Sequence, residues 1–346
     1  MREWLIVIDG FAAGWIEALV RACWQGGLAL GLVWVACRLF PRISPRASSW
    51  LWRLAFLKLA VAFLSPATID VELLPAPVAS VAQERPAASP GTTFAPEVTL
   101  TAQGTARLPV SGWPPATRLS LAGWLFLAWC FGVGAHLVRL CRDHGQAQRL
   151  RRTGRRADDE RLERWRAEAA ERLGLRRRTR LLISAVVTKP LLLGACRPTI
   201  ILPTQCLANS TPAQTRLVLA HELAHAKRHD LWWGWLLWLG ETLFYFHPLV
   251  WLASAEWRLT QEMACDALAI GATESPLAEY GAMLLEVSSG ASGPLTASRS
   301  VAVGIVETKR NLERRLEAMK LIRQKLTKRI RVVTACLLGA GGLATL

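Results

Sequence analysis

The chain has 346 residues, 52% of them hydrophobic, with 16 tryptophans, a mean hydropathy of +0.24 and a formal net charge of +16. Positive mean hydropathy with so much tryptophan excludes an ordinary soluble protein. The sequence pI near 10.4 invites a nucleic-acid reading, but no recognition motif accompanies the charge, so its placement has to decide.

Three stretches in the first half meet the length of a membrane span, about 20 apolar residues for roughly 30 Å of hydrocarbon. They run over about Ala18–Phe40, Ser48–Ala67 and Leu119–Leu140, and the second carries Arg53 and Lys58 inside it. A last apolar run, Val332–Leu346, reads as the start of a fourth span. The first is not a cleavable signal, since it is long, begins well inside the chain and is followed by further spans. Basic loops stay on the cytoplasmic side of a membrane. Arg38, Arg42 and Arg46 follow the first span, and "RLRRTGRRADDERLERWRAEAAERLGLRRRTR" follows the third, whereas the Pro/Ala/Thr-rich link 68–118 holds only Arg85, Arg107 and Arg118. The expected topology is therefore multi-pass, with the N-terminus and the 68–118 link outside and 141–330 in the cytoplasm. Most of the charge is then topology, and direct nucleic-acid binding is not expected. None of the eight cysteines lies in the external link, where an oxidising compartment could pair them, and no CxxC is present.

Within 141–330, "DDERLERWRAEAAERLGL" opens on acidic residues suited to a helix N-terminus and puts Leu162, Trp165, Ala169 and Leu173 on one face. Two apolar runs, "RLLISAVV" and "LLLGACRPTIILP", are split by "TKP" and predict strands, as a hairpin or an adjacent pair. Ser210 or Thr211, with Pro212 behind it, opens the helix "PAQTRLVLAHELAHAKRHD".

That helix carries HExxH. His221 and His225 stand four apart, so both imidazoles face one ion, and Glu222 is placed to take a proton from water activated by it. So short a motif arises by chance and needs a third ligand. "EWRLTQEMACDALAI" offers Glu256, Glu262 and Asp266, the last two sharing a helix face. Glu262 is the expected third ligand. Asp266, one turn on, is expected to accept from the far nitrogen of a ligating histidine. Cys265 reads as a packed residue and Asp230 as a cap.

The run Leu231–Leu252 between them looks like lipid-facing sequence, but a crossing there would leave Glu262 and His221 on opposite sides. From Leu231 to Phe246 a helix is only about 24 Å long, and Pro248 then breaks it. A hairpin that dips into the bilayer, or lies on it, returns Glu262 to the histidines. Tyr245 and His247, near its tip, are candidate donors to a developing oxyanion, with packing as the plainer role.

With "SSWLWRLAFLKLAV", "KPLLLGACRPTIILP", "HELAHAKRHD", "YFHPLVW" and "QEMACD" in this order, the chain resembles the BlaR/MecR-type integral-membrane antirepressor metallopeptidases of bacteria. The resemblance implies an α-helical multi-pass protein of the cytoplasmic membrane with a cytoplasmic α+β gluzincin-like peptidase domain. It implies zinc held by His221, His225 and Glu262, with Glu222 as catalytic base, and a small DNA-binding repressor as the partner cut, often after self-cleavage. Whether the protein pairs as a homodimer is left open. The sensor proteins of this group carry an external penicillin-binding domain after the fourth span, whereas this sequence stops at Leu346 within that span. Two other readings share the motif: a housekeeping membrane protease of the heat-shock or prenyl-processing type, and an inactive membrane scaffold. The strand segment and "QEMACD" favour the antirepressor type, and the intact histidines and carboxylates speak against the scaffold.

Overall fold

The structure, a computed structural model, describes residues 2–65, 119–289 and 309–320, and it is mostly helical. The expected fourth span and the 68–118 link lie outside these residues. Two long helices open the chain, α1 (Arg2–Leu39) and α2 (Pro45–Leu64), and α3 (Leu121–Thr153) follows the link. By length and apolar composition α2 and α3 qualify as candidate membrane spans. Ser44 caps α2, accepting from the Ala47 amide at 3.3 Å with Pro45 at the first helical position. Ser120 caps α3 and also donates to Asp9 Oδ1 at 2.6 Å, which ties the start of α3 to α1.

The expected first span is only the later part of α1, whose 38 residues make a rod of about 57 Å. Its exposed face carries Trp4, Phe11, Trp24, Leu32 and Leu39. Likewise α3 does not stop at Leu140 but runs on through the first arginines to Thr153. Arginine is a good helix former, so the charge that marks the end of apolar sequence does not end the helix.

Next come β1 (Arg155–Arg156), α4 (Glu160–Arg172), β2 (Arg180–Ser184), β3 (Leu191–Leu193), β4 (Thr199–Pro203) and the short α5 (Thr204–Asn209). The sheet order is β1-β2-β4-β3. The pairing differs from a simple hairpin of the two apolar runs. "LLLGACRPTIILP" is itself the hairpin, β3 antiparallel to β4, while β2 lies parallel to β4. Gly194 makes this turn at φ +85°, and a Cβ there would stand 2.7 Å from the Arg197 carbonyl oxygen.

The remaining elements are α6 (Pro212–Arg228), α7 (Asp230–Leu243), α8 (Pro248–Thr273), α9 (Leu277–Ser289) and the helical residues 309–320, here α10. Thr211 and Gln214 form a capping box at the start of α6, and His229, left-handed at φ 57°, turns the chain from α6 into α7. Residues 244–247 separate α7 from α8, so the apolar run folds back on itself as two helices. Two apolar cores result. One packs Leu162, Leu181, Ile200, Leu219, Leu223, Tyr280 and Met319 between the sheet and α4, α6, α9 and α10. The other packs Leu30, Trp52, Phe56, Leu59, Leu237, Phe244 and Trp257 among α1, α2, α7 and α8. Helix α8 belongs to both: Val250, Ala253 and Trp257 lie in the second core and Ala269 in the first. Glu262 and Asp266 fall at the junction.

Candidate metal centre

Helix α6 is sunk in the first core, with Leu217, Leu219, Ala220, Leu223 and Ala224 fully buried, so its polar residues are held where few waters compete. The rings of His221 and His225 stand 5.0 Å apart at 81° to each other. Glu262 of α8 reaches both, its Oε2 3.4 Å from His221 Nε2 and its Oε1 3.6 Å from His225 Nε2. Zinc bonds of about 2.0–2.1 Å in a tetrahedron set neighbouring donors roughly 3.3–3.5 Å apart. Two imidazole nitrogens and a carboxylate at this spacing fit that ion. Glu222 adds an acceptor beside them: it is buried, and its Oε2 has no hydrogen-bond partner among the described residues.

The far nitrogens are occupied. His221 Nδ1 lies 3.2 Å from Asp266 Oδ1 and 3.0 Å from the Tyr280 hydroxyl, which itself donates to Asp266 at 2.8 Å. His225 Nδ1 lies 3.0 Å from Asp230 Oδ2. A carboxylate opposite Nδ1 holds a proton there, so Nε2 is the nitrogen that would be given up to a metal on the Glu262 side. Each carboxylate is in turn held by an arginine. Arg315 of α10 grips Asp266 with two bonds, at 2.8 and 2.7 Å, and comes within 3.4 Å of Glu262 Oε2. Arg53 of α2 bonds Asp230 Oδ1 at 2.8 Å, and Arg228 bonds Oδ2 at 3.1 Å.

Burial alone would lower His221, but its hydrogen bonds to Asp266 and Glu262 carry its pKa up to about 10. Burial would raise Glu262, yet His221 and Arg315 bring it down to about 2. Asp266 is held below the usual carboxylate range against its burial, chiefly by Arg315. Glu222 goes the other way, since burial outweighs the pull of the histidines and raises it. Burial also keeps Cys265 a thiol. His225, Asp230 and Cys265 also cluster within 4.8 Å, but the two arginines on Asp230 and that protonated thiol disfavour an ion there.

The structure thus brings together His221, Glu222, His225, Glu262 and Asp266. It does not bring Tyr245 or His247 to them. Tyr245 donates to the Ala128 carbonyl of α3 at 3.3 Å and stacks near His136, and the His247 ring lies against Gly27 of α1. Both sit at the far end of α7, whose 14 residues measure about 21 Å from Asp230. The oxyanion role considered for them gives way to packing between helices. Glu256, the other carboxylate in reach on sequence grounds, is paired with Arg314 at 2.8 Å. Asp230 is fully buried and does more than start a helix. Arg53, Asp230, Tyr280 and Arg315 were not evident from sequence. One signal pointed to Arg53: a charge inside an apolar span demands a partner.

Residues 18–319 match the model of a peptidase family described as BlaR1 peptidase M56. Over 165 residues the chain is 26% identical to the regulatory protein BlaR1 of Bacillus licheniformis, covering 47% of this chain and 27% of that protein. Over 83 residues it is 26% identical to the methicillin resistance mecR1 proteins of Staphylococcus aureus and Staphylococcus epidermidis, covering 24% of this chain and 14% of theirs. The matched stretches span about a quarter or less of these relatives.

Proposed function

Because this chain belongs to the BlaR1 peptidase M56 family, which it matches from residue 18 to 319, we propose that it is a membrane-bound zinc endopeptidase and signal transducer. Its substrate is a cytoplasmic transcriptional repressor, cut directly or after self-cleavage, so that resistance or stress genes are induced. The observation that carries this reading is the Glu262 carboxylate at 3.4 and 3.6 Å from two histidine Nε2 atoms whose Nδ1 atoms face buried carboxylates.

His221, His225 and Glu262 would hold the zinc, which when bound supplies Lewis-acid activation of water and of the scissile carbonyl. Glu222 is the base. Its free Oε2 accepts the proton of the attacking water and then delivers it to the leaving amide nitrogen. Burial, by raising its pKa, brings it nearer the pH at which it must do both. Asp266 and Asp230 fix the histidines as neutral donors in one orientation. The substrate backbone would add to the sheet at β3, its end strand.

In this reading 1–67 forms two N-terminal membrane helices, 68–118 an external linker, 119–140 the third span and 141–330 a cytoplasmic domain of α+β gluzincin type. The 231–252 hairpin holds that domain at the bilayer, and 331–346 begins a fourth span. Co-expression with a repressor encoded beside this gene tests the function. Wild type should cleave it, and Glu222→Gln should retain zinc but leave the repressor whole. Cleavage undiminished in Glu222→Gln would remove the assigned mechanism.

A further inference from the structure

Arg53 lies in a candidate membrane span yet ends beside a residue of the metal centre. It is 3% exposed, and its guanidinium stands 4.7 Å from the ring centroid of Trp50 and 4.8 Å from that of Trp233. The two rings meet edge to face, their centroids 5.5 Å apart, and Arg53 Nη2 beside them bonds Asp230 Oδ1 at 2.8 Å. The other oxygen of Asp230 takes His225 Nδ1 at 3.0 Å and Arg228 Nε at 3.1 Å. Arg228 in turn donates to Ser49 Oγ at 2.9 Å, one helical turn before Arg53 on α2. Two neighbouring side chains of α2 therefore hold the corner at His229 where α6 becomes α7.

We propose that Arg53 is a positioning residue for the metal centre, acting on His225 through Asp230, so that a membrane helix sets the aim of a metal-binding imidazole. The inference rests on the zinc-peptidase reading of the site and adds to it a route from the membrane. The division of the carboxylate argues for it. Asp230 Oδ1 takes Arg53 of α2 at 2.8 Å, its shortest contact, with Gln261 of α8 at 3.5 Å, while Oδ2 takes His225, Arg228 and the Cys265 thiol, so rotation or sliding of α2 pulls on the acceptor that orients the ring. A buried ion pair by itself is weak evidence for stability, since apolar groups of similar volume often serve as well. Arginine specifically is suited here, because a planar cation can lie against both tryptophan rings while bonding edge-on to a carboxylate, which an ammonium cannot.

The test is zinc affinity of the full chain in detergent, read by competition with a chelator in wild type, Arg53→Gln, Asp230→Asn and the double variant. Arg53→Gln should weaken zinc about 10-fold or more, as loss of a partner behind a ligand does. The double variant should bind no more weakly than Asp230→Asn alone, because Arg53 has then lost the residue it acts through. Arg53→Lys, which keeps the charge but not the plane, should fall between wild type and Arg53→Gln. Unchanged affinity in Arg53→Gln, or effects that simply add in the double variant, overturns the inference and leaves the peptidase reading standing. A wild-type chain that binds no zinc overturns that reading and this inference with it. Should Arg53→Gln fail to fold, Arg53→Lys is read in its place, and affinity equal to wild type counts against the proposal.

Discussion

His221 carries the clearest pH dependence in the molecule. In the metal-free chain its pKa of about 10 stands well above the roughly 6.5 of an unfolded histidine. Its imidazolium therefore contributes stability that is complete below about pH 6.5 and is lost as the pH rises towards 10. Zinc has to expel that proton. Its affinity should accordingly rise about tenfold per pH unit between pH 7 and 9, and chelator competition at those two pH values measures it. Affinity flat over this range would show that His221 does not bind the metal. Glu262→Ala removes the carboxylate facing both Nε2 atoms and should lower zinc content, whereas Glu256→Ala, which loses only its pairing with Arg314, should not. At this scale the spacing of His221, His225, Glu262 and Asp266 is legible in sequence, since four-residue intervals on a helix fix a shared face. Asp230, Tyr280 and Arg315 are not legible. Their partners lie across folds of the chain, and nothing local distinguishes a buried Arg315 from the half-buried Arg314 beside it or the exposed Arg310.

Among the elements, the contact of α7 with α2 depends on small size at one position. A Cβ on Gly240 would stand 2.7 Å from Phe56 Cδ1, inside the packed second core, whereas a Cβ on Gly234 of the same helix meets nothing within 4 Å. Gly240→Val should destabilise the protein by about 1–3 kcal/mol through overpacking. Gly234→Ala should be neutral or stabilise it by up to about 1 kcal/mol through helix propensity. Thermal unfolding in detergent compares them, and a tolerated Gly240→Val would mean that α7 does not pack on α2 as described. Helices are the more readable elements here: Thr211 with Pro212 behind it marks a start that the sequence announces, whereas α2 opens at Pro45 under a Ser44 cap, a few residues before the apolar run at Ser48. Ends are less so. Arginines, good helix formers, extend α3 beyond its apolar part, and α1 begins at Arg2 because residues 4–8 are themselves apolar and Asp9 is tied to Ser120 of α3. Strand partners were legible only as proximity, since parallel pairing of β2 with β4 depends on a crossover that no local pattern encodes.

At the scale of the whole molecule, α8 joins the helix bundle and the sheet domain into one packed body, with Trp257 in one core and Ala269 in the other. If the expected topology holds, Arg152, Lys227 and Arg310, all exposed, share the cytoplasmic side. Single cysteines at these positions in a cysteine-free chain should resist a membrane-impermeant thiol reagent in intact cells and react after lysis. Labelling of one of the three from outside would break the topology. The hairpin of α7 and α8 also bears on synthesis. The ribosome delivers Arg53 first, the histidine pair later, Glu262 after the hairpin and Arg315 last. A chain not yet made past Glu262 leaves the histidines without their third ligand, and one that misses the bilayer leaves Asp230 without Arg53. On the reading proposed, the order of manufacture acts as a safety catch: the blade is assembled only where the sheath already is, and no stray chain is armed in the cytosol.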